Sequence, residues 1–159
     1  MLELLDNSPL WAALLAIGIA QFIKIPLHFL AERTWNWPLL FSTGGMPSSH
    51  SSAVTALSTA VGIREGFGSS AFAISAIIGI IVMFDAAGVR RHAGMQAVVL
   101  NKLVEEFNHM LEGMKTFKVR PKNEKAQKLK ELLGHQPIEV LMGGFLGIMV
   151  ALLFHSLTR

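Results

Sequence analysis

Three short stretches hold the side chains that can do chemistry. The first is Gly44-Gly45-Met46-Pro47-Ser48-Ser49-His50-Ser51-Ser52. It lies between hydrophobic segments and opens a helix, so backbone N–H groups, hydroxyls and one imidazole converge there. Helix N-termini bind phosphate oxygens and a positioned imidazole moves protons, which together suit cleavage of a phosphate ester. Alone, the string reads equally as a serine-rich turn that caps the next helix. The second stretch is Gly134-His135-Gln136-Pro137-Ile138-Glu139. Pro137 suits the first turn of a helix, and Glu139 falls in that turn. A carboxylate there can hold the His135 Nδ1–H and leave Nε2 free as a nucleophile. The alternative is a helix start with an incidental histidine. The third is Asp85-Ala86-Ala87-Gly88-Val89-Arg90-Arg91. Paired arginines at a helix end clamp phosphate oxygens through their fork geometry, or simply mark a membrane boundary. Asp85 reads as an ion-pair partner for them or for Lys24, in preference to a metal ligand.

The elements that must carry these residues are hydrophobic. Of 159 residues, 52% are hydrophobic and 16% charged, against about 25% charged in soluble domains. The chain therefore reads as a small integral membrane protein, a single all-α domain over 1–159. The absence of cysteine excludes disulfides, iron–sulfur clusters and cysteine zinc sites. Tyrosine is absent too, so aromatic belts must come from Trp11, Trp35 and Trp37. The start, Met1 to Ser8, is acidic, so no cleavable signal peptide is expected and the first apolar segment stays as a span.

Four transmembrane helices are expected. Pro9 to about Leu30 is long enough to cross ~30 Å of hydrocarbon. Gln21, Lys24 and His28 lie on one of its faces, and a polar stripe on a span must meet protein or water; Lys24 alone also reads as a lysine snorkelling at the helix end. His50 to about Ile63 is short and rich in Ala, Ser and Thr, which suits close helix packing. Ala71 to about Gly88 and Pro137 to about Leu157 complete the set, with Ser69 or Ser70 placed to cap the third helix. Gly143 and Gly147 make a small-residue face for tight packing.

Residues 89–136 form a polar, basic insertion between the third and fourth spans. Within it, Met95 to Met114 carries Val98, Val99, Leu103, Phe107, Met110 and Leu111 at amphipathic spacing, so an interfacial helix or one packed on the bundle is expected. The run 115–130 is strongly basic, and Asn123 to Leu133 suits a short helix stopped by Gly134. Residues 89–136 hold ten of the fourteen Lys and Arg against five Glu. The positive-inside rule places this segment in the cytoplasm of a multi-pass cell-membrane protein. With four spans, Arg33 and His50 then share that face, and both termini lie outside.

Taken together, Lys24…Arg33, Pro47-Ser48-Ser49-His50 and Arg90 or Arg91…His135-x-x-x-Glu139 resemble the three motifs of the type-2 phosphatidic acid phosphatase and vanadium haloperoxidase superfamily. Those motifs are Lys-x6-Arg-Pro, Pro-Ser-Gly-His and Ser-Arg-x5-His-x3-Asp. The whole combination looks like the superfamily's divergent branch, the YuiD-like proteins. The resemblance implies that His135 attacks phosphorus to form a phosphohistidine and that His50 protonates the leaving alkoxide. It implies that Glu139 orients His135, and that Lys24, Arg33, Arg90 or Arg91, Ser48 and Ser49 hold the phosphate. No metal or cofactor is needed for this scheme. The departures are specific: eight residues separate Lys24 from Arg33 and no proline follows, Ser49 replaces glycine, Glu139 replaces aspartate, and Arg91 precedes His135 by 44 positions. The third motif is split by the basic insertion, whose ends must meet for the site to close.

The expected activity is hydrolysis of a lipid phosphate monoester or diphosphate at the membrane interface. The alternatives are a non-catalytic protein that binds anionic lipid headgroups or phosphate, and a small transporter using the Gln21, Lys24, His28 stripe. The membrane and a lipid phosphate are the expected partners; no nucleic-acid partner is expected. Four helices make a thin bundle, so a homodimer is expected, with Gly143 and Gly147 as its support. His28, His109 and His155 carry no assigned role, and His92 is held in reserve beside the arginines.

Overall fold

The structure is a computed structural model and describes residues 2–35, 37–38, 44–114 and 134–158. Its elements are all helical: α1 (Leu2–Leu5), α2 (Ser8–Glu32), α3 (Ser49–Glu65), α4 (Ser70–Ala87), α5 (Val89–Met114) and α6 (Pro137–Thr158). α2, α3 and α4 each start where the sequence supplies an acceptor for unpaired N–H groups. Asn7 Oδ1 accepts from Leu10 N at 3.2 Å, the Ser48 side chain accepts from Ser51 N, and Ser69 Oγ accepts from Phe72 N at 3.2 Å. α2 ends on Arg33, which adopts the left-handed conformation with φ 57° and donates its N–H to Phe29 O.

Three helical stretches are long and apolar enough to cross a membrane: Ser8–Leu30, Ser70–Met110 and Pro137–Thr158. α3 is not among them, yet it runs the length of the bundle. Its N-terminus lies beside the start of α6, where Ser48 N donates to Glu139 O at 3.0 Å. Its other end, at Ile63 and Arg64, lines a cavity with Ser8 at the start of α2 and Thr158 at the end of α6. The expected fourth traverse is therefore present but packed against α2, α4 and α6. Surrounded by helices instead of lipid, α3 keeps Ser, Thr and Ala at its contacts, which is why its hydropathy is low.

Small residues set these contacts. Ala12, Ala16 and Ala20 are fully buried along one ridge of α2, and Lys24, one turn further, is 2% exposed. Ser52 Oγ donates to Ala16 O, and Thr55 Oγ1 donates to Gly144 O at 2.9 Å across the α3–α6 contact. A Cβ at Gly143 would collide with the Ser48 backbone, and one at Gly147 with Ser52 O and Thr55 Oγ1. These two glycines face α3 of their own chain, so they no longer support a dimer. Large apolar side chains point outward instead, among them Ile74, Ile77, Ile81 and Phe84 on α4 and Phe145 and Leu153 on α6. Trp11 lies near one end of the bundle, and Phe29, Trp35 and Trp37 stack at the other with ring centroids 4.6 and 6.1 Å apart.

The amphipathic helix is present and longer than expected. It begins at Val89, six residues before Met95, and continues from α4 with only Gly88 between them. α4 is its one substantial neighbour among the described elements. The basic run 115–130 and the helix expected over Asn123–Leu133 lie outside the described residues.

Candidate functional site

The C-terminal ends of α2 and α4 and the N-terminal ends of α3, α5 and α6 meet at one end of the bundle. A cavity of about 260 Å3 opens there, lined by His50, Asp85, Ala86, Arg90, Gly134 and His135, with Ile81 and Val82 on its α4 side. The two halves of the split third motif therefore meet. Gly134 makes this closure possible: its φ is +93°, and a Cβ on it would collide with the Arg91 backbone. Residues 134–136, the strap that leads into α6, are locked there, because His135 N donates to Ala86 O at 3.0 Å.

Glu139 positions His135. Its Oε2 lies 3.0 Å from His135 Nδ1 and also accepts the Gln136 backbone N–H at 3.0 Å. The second bond is half of a capping box, in which a Glu in the first turn reaches back to the residue that starts the helix. One carboxylate thus begins α6 and orients the imidazole, so glutamate in place of aspartate is compatible with the contact. With Nδ1 facing the carboxylate it carries the proton, which leaves Nε2 as the acceptor nitrogen. His135 is 2% exposed, and its Nε2 is buried without a hydrogen-bond partner among the described residues. A buried polar atom left open ordinarily costs about 1–3 kcal/mol, and such exceptions call for an explanation such as a reacting partner. His50 sits edge-on to it, ring centroids 6.3 Å apart at 62°.

The cationic groups divide. Lys24 is buried and within electrostatic reach of Glu139, so the carboxylate supplies the opposite charge that a buried ammonium needs. Arg90 lines the cavity, and its Nε donates to Asp85 Oδ2 at 2.7 Å, which makes Asp85 the ion-pair partner expected of it. Arg91 is exposed and contributes its backbone to the Gly134 contact; its side chain is not among the cavity's lining groups. Arg33 is exposed at the end of α2 and also absent from that lining.

Ser48 and Ser49 are buried but do not line the cavity. Ser48 Oγ is engaged with Ser51 N and Ser51 Oγ, at 3.4 and 3.1 Å, as the cap of α3. Of the polar stripe on α2, His28 pairs with Glu32 at 3.6 Å and Gln21 Oε1 is buried without a partner among the described residues. His155 lies in the cavity at the opposite end of the bundle. Sequence reasoning missed the Ala86 carbonyl and the Ile81–Val82 wall. The carbonyl's role is set by where the strap lands on α4, which no local pattern encodes.

The family model described as the divergent PAP2 family matches residues 5–150. The chain belongs to this family. It is 58% identical over 151 residues to the uncharacterized membrane protein YuiD of Bacillus subtilis (strain 168), covering 95% of this chain and 96% of that one. No solved structure matches it. Membership of the divergent PAP2 family spans both sides of the basic insertion, including His50, Arg90, His135 and Glu139.

Proposed function

We propose that this member of the divergent PAP2 family hydrolyses a lipid phosphate monoester or diphosphate through a phosphohistidine. The observation that carries the reading is His135: buried, held at Nδ1 by Glu139, open at Nε2, and lining a cavity shared with His50 and Arg90. Nε2 attacks phosphorus, forming an N–P bond as the P–O bond to the lipid breaks. His50, once protonated, gives its proton to the departing alkoxide of a monoester or to the departing lipid phosphate of a diphosphate. The neutral His50 then takes a proton from water, whose oxygen attacks phosphorus, breaks the N–P bond and releases inorganic phosphate. Arg90 offsets the charge that builds on the phosphoryl oxygens, the kind of electrostatic stabilisation that often contributes most to such reactions; Lys24, outside the cavity's lining, acts on the site through Glu139.

A lipid substrate is favoured by the cavity's surroundings. Ile81 belongs to its lining and is also 61% exposed on the apolar outer face of α4, so a hydrocarbon chain can leave the cavity along that face. The excess of Lys and Arg over 89–136 supports a cytoplasmic position for the cavity.

The test is phosphate release by the purified protein in lipid-containing micelles, without added metal, from phosphatidate, phosphatidylglycerophosphate and a polyprenyl diphosphate. Release that is abolished by His135→Ala and strongly reduced by His50→Ala is expected. If no lipid is hydrolysed while wild type and His135→Ala bind these lipids equally, the protein is an anion-binding membrane protein and the catalytic reading is wrong.

A further inference from the structure

Among the described elements α4 is the one substantial neighbour of α5, and one face of α5 is exposed although Gly94 and Ala97 are buried. Gly88 ends α4, with φ -104° and ψ -89° and its N–H donating to Phe84 O at 2.9 Å, and α5 restarts at once, with His92 N donating to Gly88 O at 3.0 Å. α4 has 18 residues and α5 has 26, about 27 and 39 Å at 1.5 Å per residue, so α4 alone comes close to the hydrocarbon thickness. α4 fills the hydrocarbon and α5 emerges from it.

The exposed face of α5 has a defined period. Val89, Ala93, Gln96, Leu100, Leu103, Phe107 and Met110 follow one another at alternating spacings of four and three. That is the seam of a heptad repeat, whose 3.5-residue period matches a facing helix. All seven are exposed, with Leu103 at 60% and Phe107 at 55%. Of the five Lys, Arg and Glu from Val89 to Met110, Arg91, Lys102 and Glu105 fall at outer positions of the repeat; the flanks of the seam hold Arg90 and His92 at its root, then Ala97, which is buried, and Val99 and Val104. Glu106, at a flank, is 4.0 Å from Lys102 on its own helix. From Gln96 to Met110 the helix carries one Lys and two Glu, a poor match to an anionic lipid surface, which attracts helices rich in Lys and Arg.

We propose that α5 pairs with α5 of a second copy of this chain as a parallel, in-register coiled coil. Two copies inserted in the same sense send α5 out of the membrane in the same direction, so twofold pairing sets each seam residue against itself. No like charges then face each other along the flanks from Ala97 to Val104. Gln96 becomes the single polar pair in the seam, a feature that fixes register. Arg90 lies at the root of this helix, so pairing also braces the cavity wall it forms.

The chain has no cysteine, so single-cysteine scanning of the full-length protein in native membranes reports this pairing directly. Under mild oxidation, Leu100→Cys, Leu103→Cys, Phe107→Cys and Met110→Cys are expected to form disulfide-linked dimers. Lys102→Cys, Glu105→Cys and His109→Cys are expected to stay monomeric, and adding Phe107→Glu to Leu100→Cys should reduce cross-linking at least several-fold. The proposal is overturned if the seam and outer positions cross-link equally, if the outer positions cross-link preferentially, or if none does. In the last case a nitroxide at Leu103 buried in lipid would identify the membrane surface as the occupant. None of these readouts depends on catalysis.

Discussion

Replacing Gly147 by alanine is expected to separate α6 from α3, whereas the same change at the adjoining Gly144 is expected to be tolerated. A Cβ at Gly147 would collide with Ser52 O and Thr55 Oγ1. Neither can give way easily: Ser52 O is backbone, and Thr55 Oγ1 is tied to Ser51 O at 2.8 Å and to Gly144 O at 2.9 Å. Overpacking of this kind costs about 1–3 kcal/mol, and stretching the Thr55–Gly144 hydrogen bond adds about 0.5–1.5 kcal/mol. Alanine's better helix propensity returns up to about 1 kcal/mol, leaving a net loss of roughly 1–3 kcal/mol. At Gly144 the added Cβ would rest 3.5 Å from Thr55 Cγ2 and 3.7 Å from Met83 Sδ, ordinary contact distances, so the propensity gain stands alone. The two variants should therefore differ by about 2–4 kcal/mol by this accounting. Unfolding in mild detergent titrated with sodium dodecyl sulfate, followed by helical circular dichroism, measures the difference. Equal destabilisation by both, or a Gly147→Ala protein as stable as wild type, would refute the glycine-mediated contact.

Other expectations concern the cavity. Glu139→Gln keeps the shape but exchanges a charge-assisted hydrogen bond for a neutral one, a loss of about 1–1.5 kcal/mol and so about tenfold in turnover. Glu139→Ala also releases the ring and should cost at least about 100-fold; identical kinetics for the two variants would remove Glu139 from its orienting role. Asp85→Asn should leave stability within about 1 kcal/mol, because the pair it breaks is largely exposed. It should also tighten inhibition by inorganic phosphate several-fold, since a negative charge leaves the cavity, and weaker inhibition would contradict that placement. Gly134→Ala should keep helix content yet lose phosphate release, because the strap can no longer close on Arg91; full activity would show that the closure is dispensable.

Much of the fold was legible in local composition. Apolar length marked α2, α4 and α6, capping residues marked where α2, α3 and α4 begin, and the His135–Glu139 spacing anticipated their contact because four residues make one helical turn. Which groups converge was not a local matter. The choice of Arg90 over Arg91 depends on how α5 leaves α4, and the placement of Ser48 in a cap instead of the cavity depends on α3 packing against α6. The alanine ridge that buries Lys24 and the glycine contact that draws α6 onto α3 also needed the packed bundle. So did the His135–Ala86 hydrogen bond, which joins residues nearly fifty positions apart. Local pattern accounts for the helices and for the chemistry available at one end of them, since period, capping and side-chain type act within a few residues. Tertiary structure alone decided which of those side chains share a cavity, because that depends on close backbone approach between helices distant in the chain.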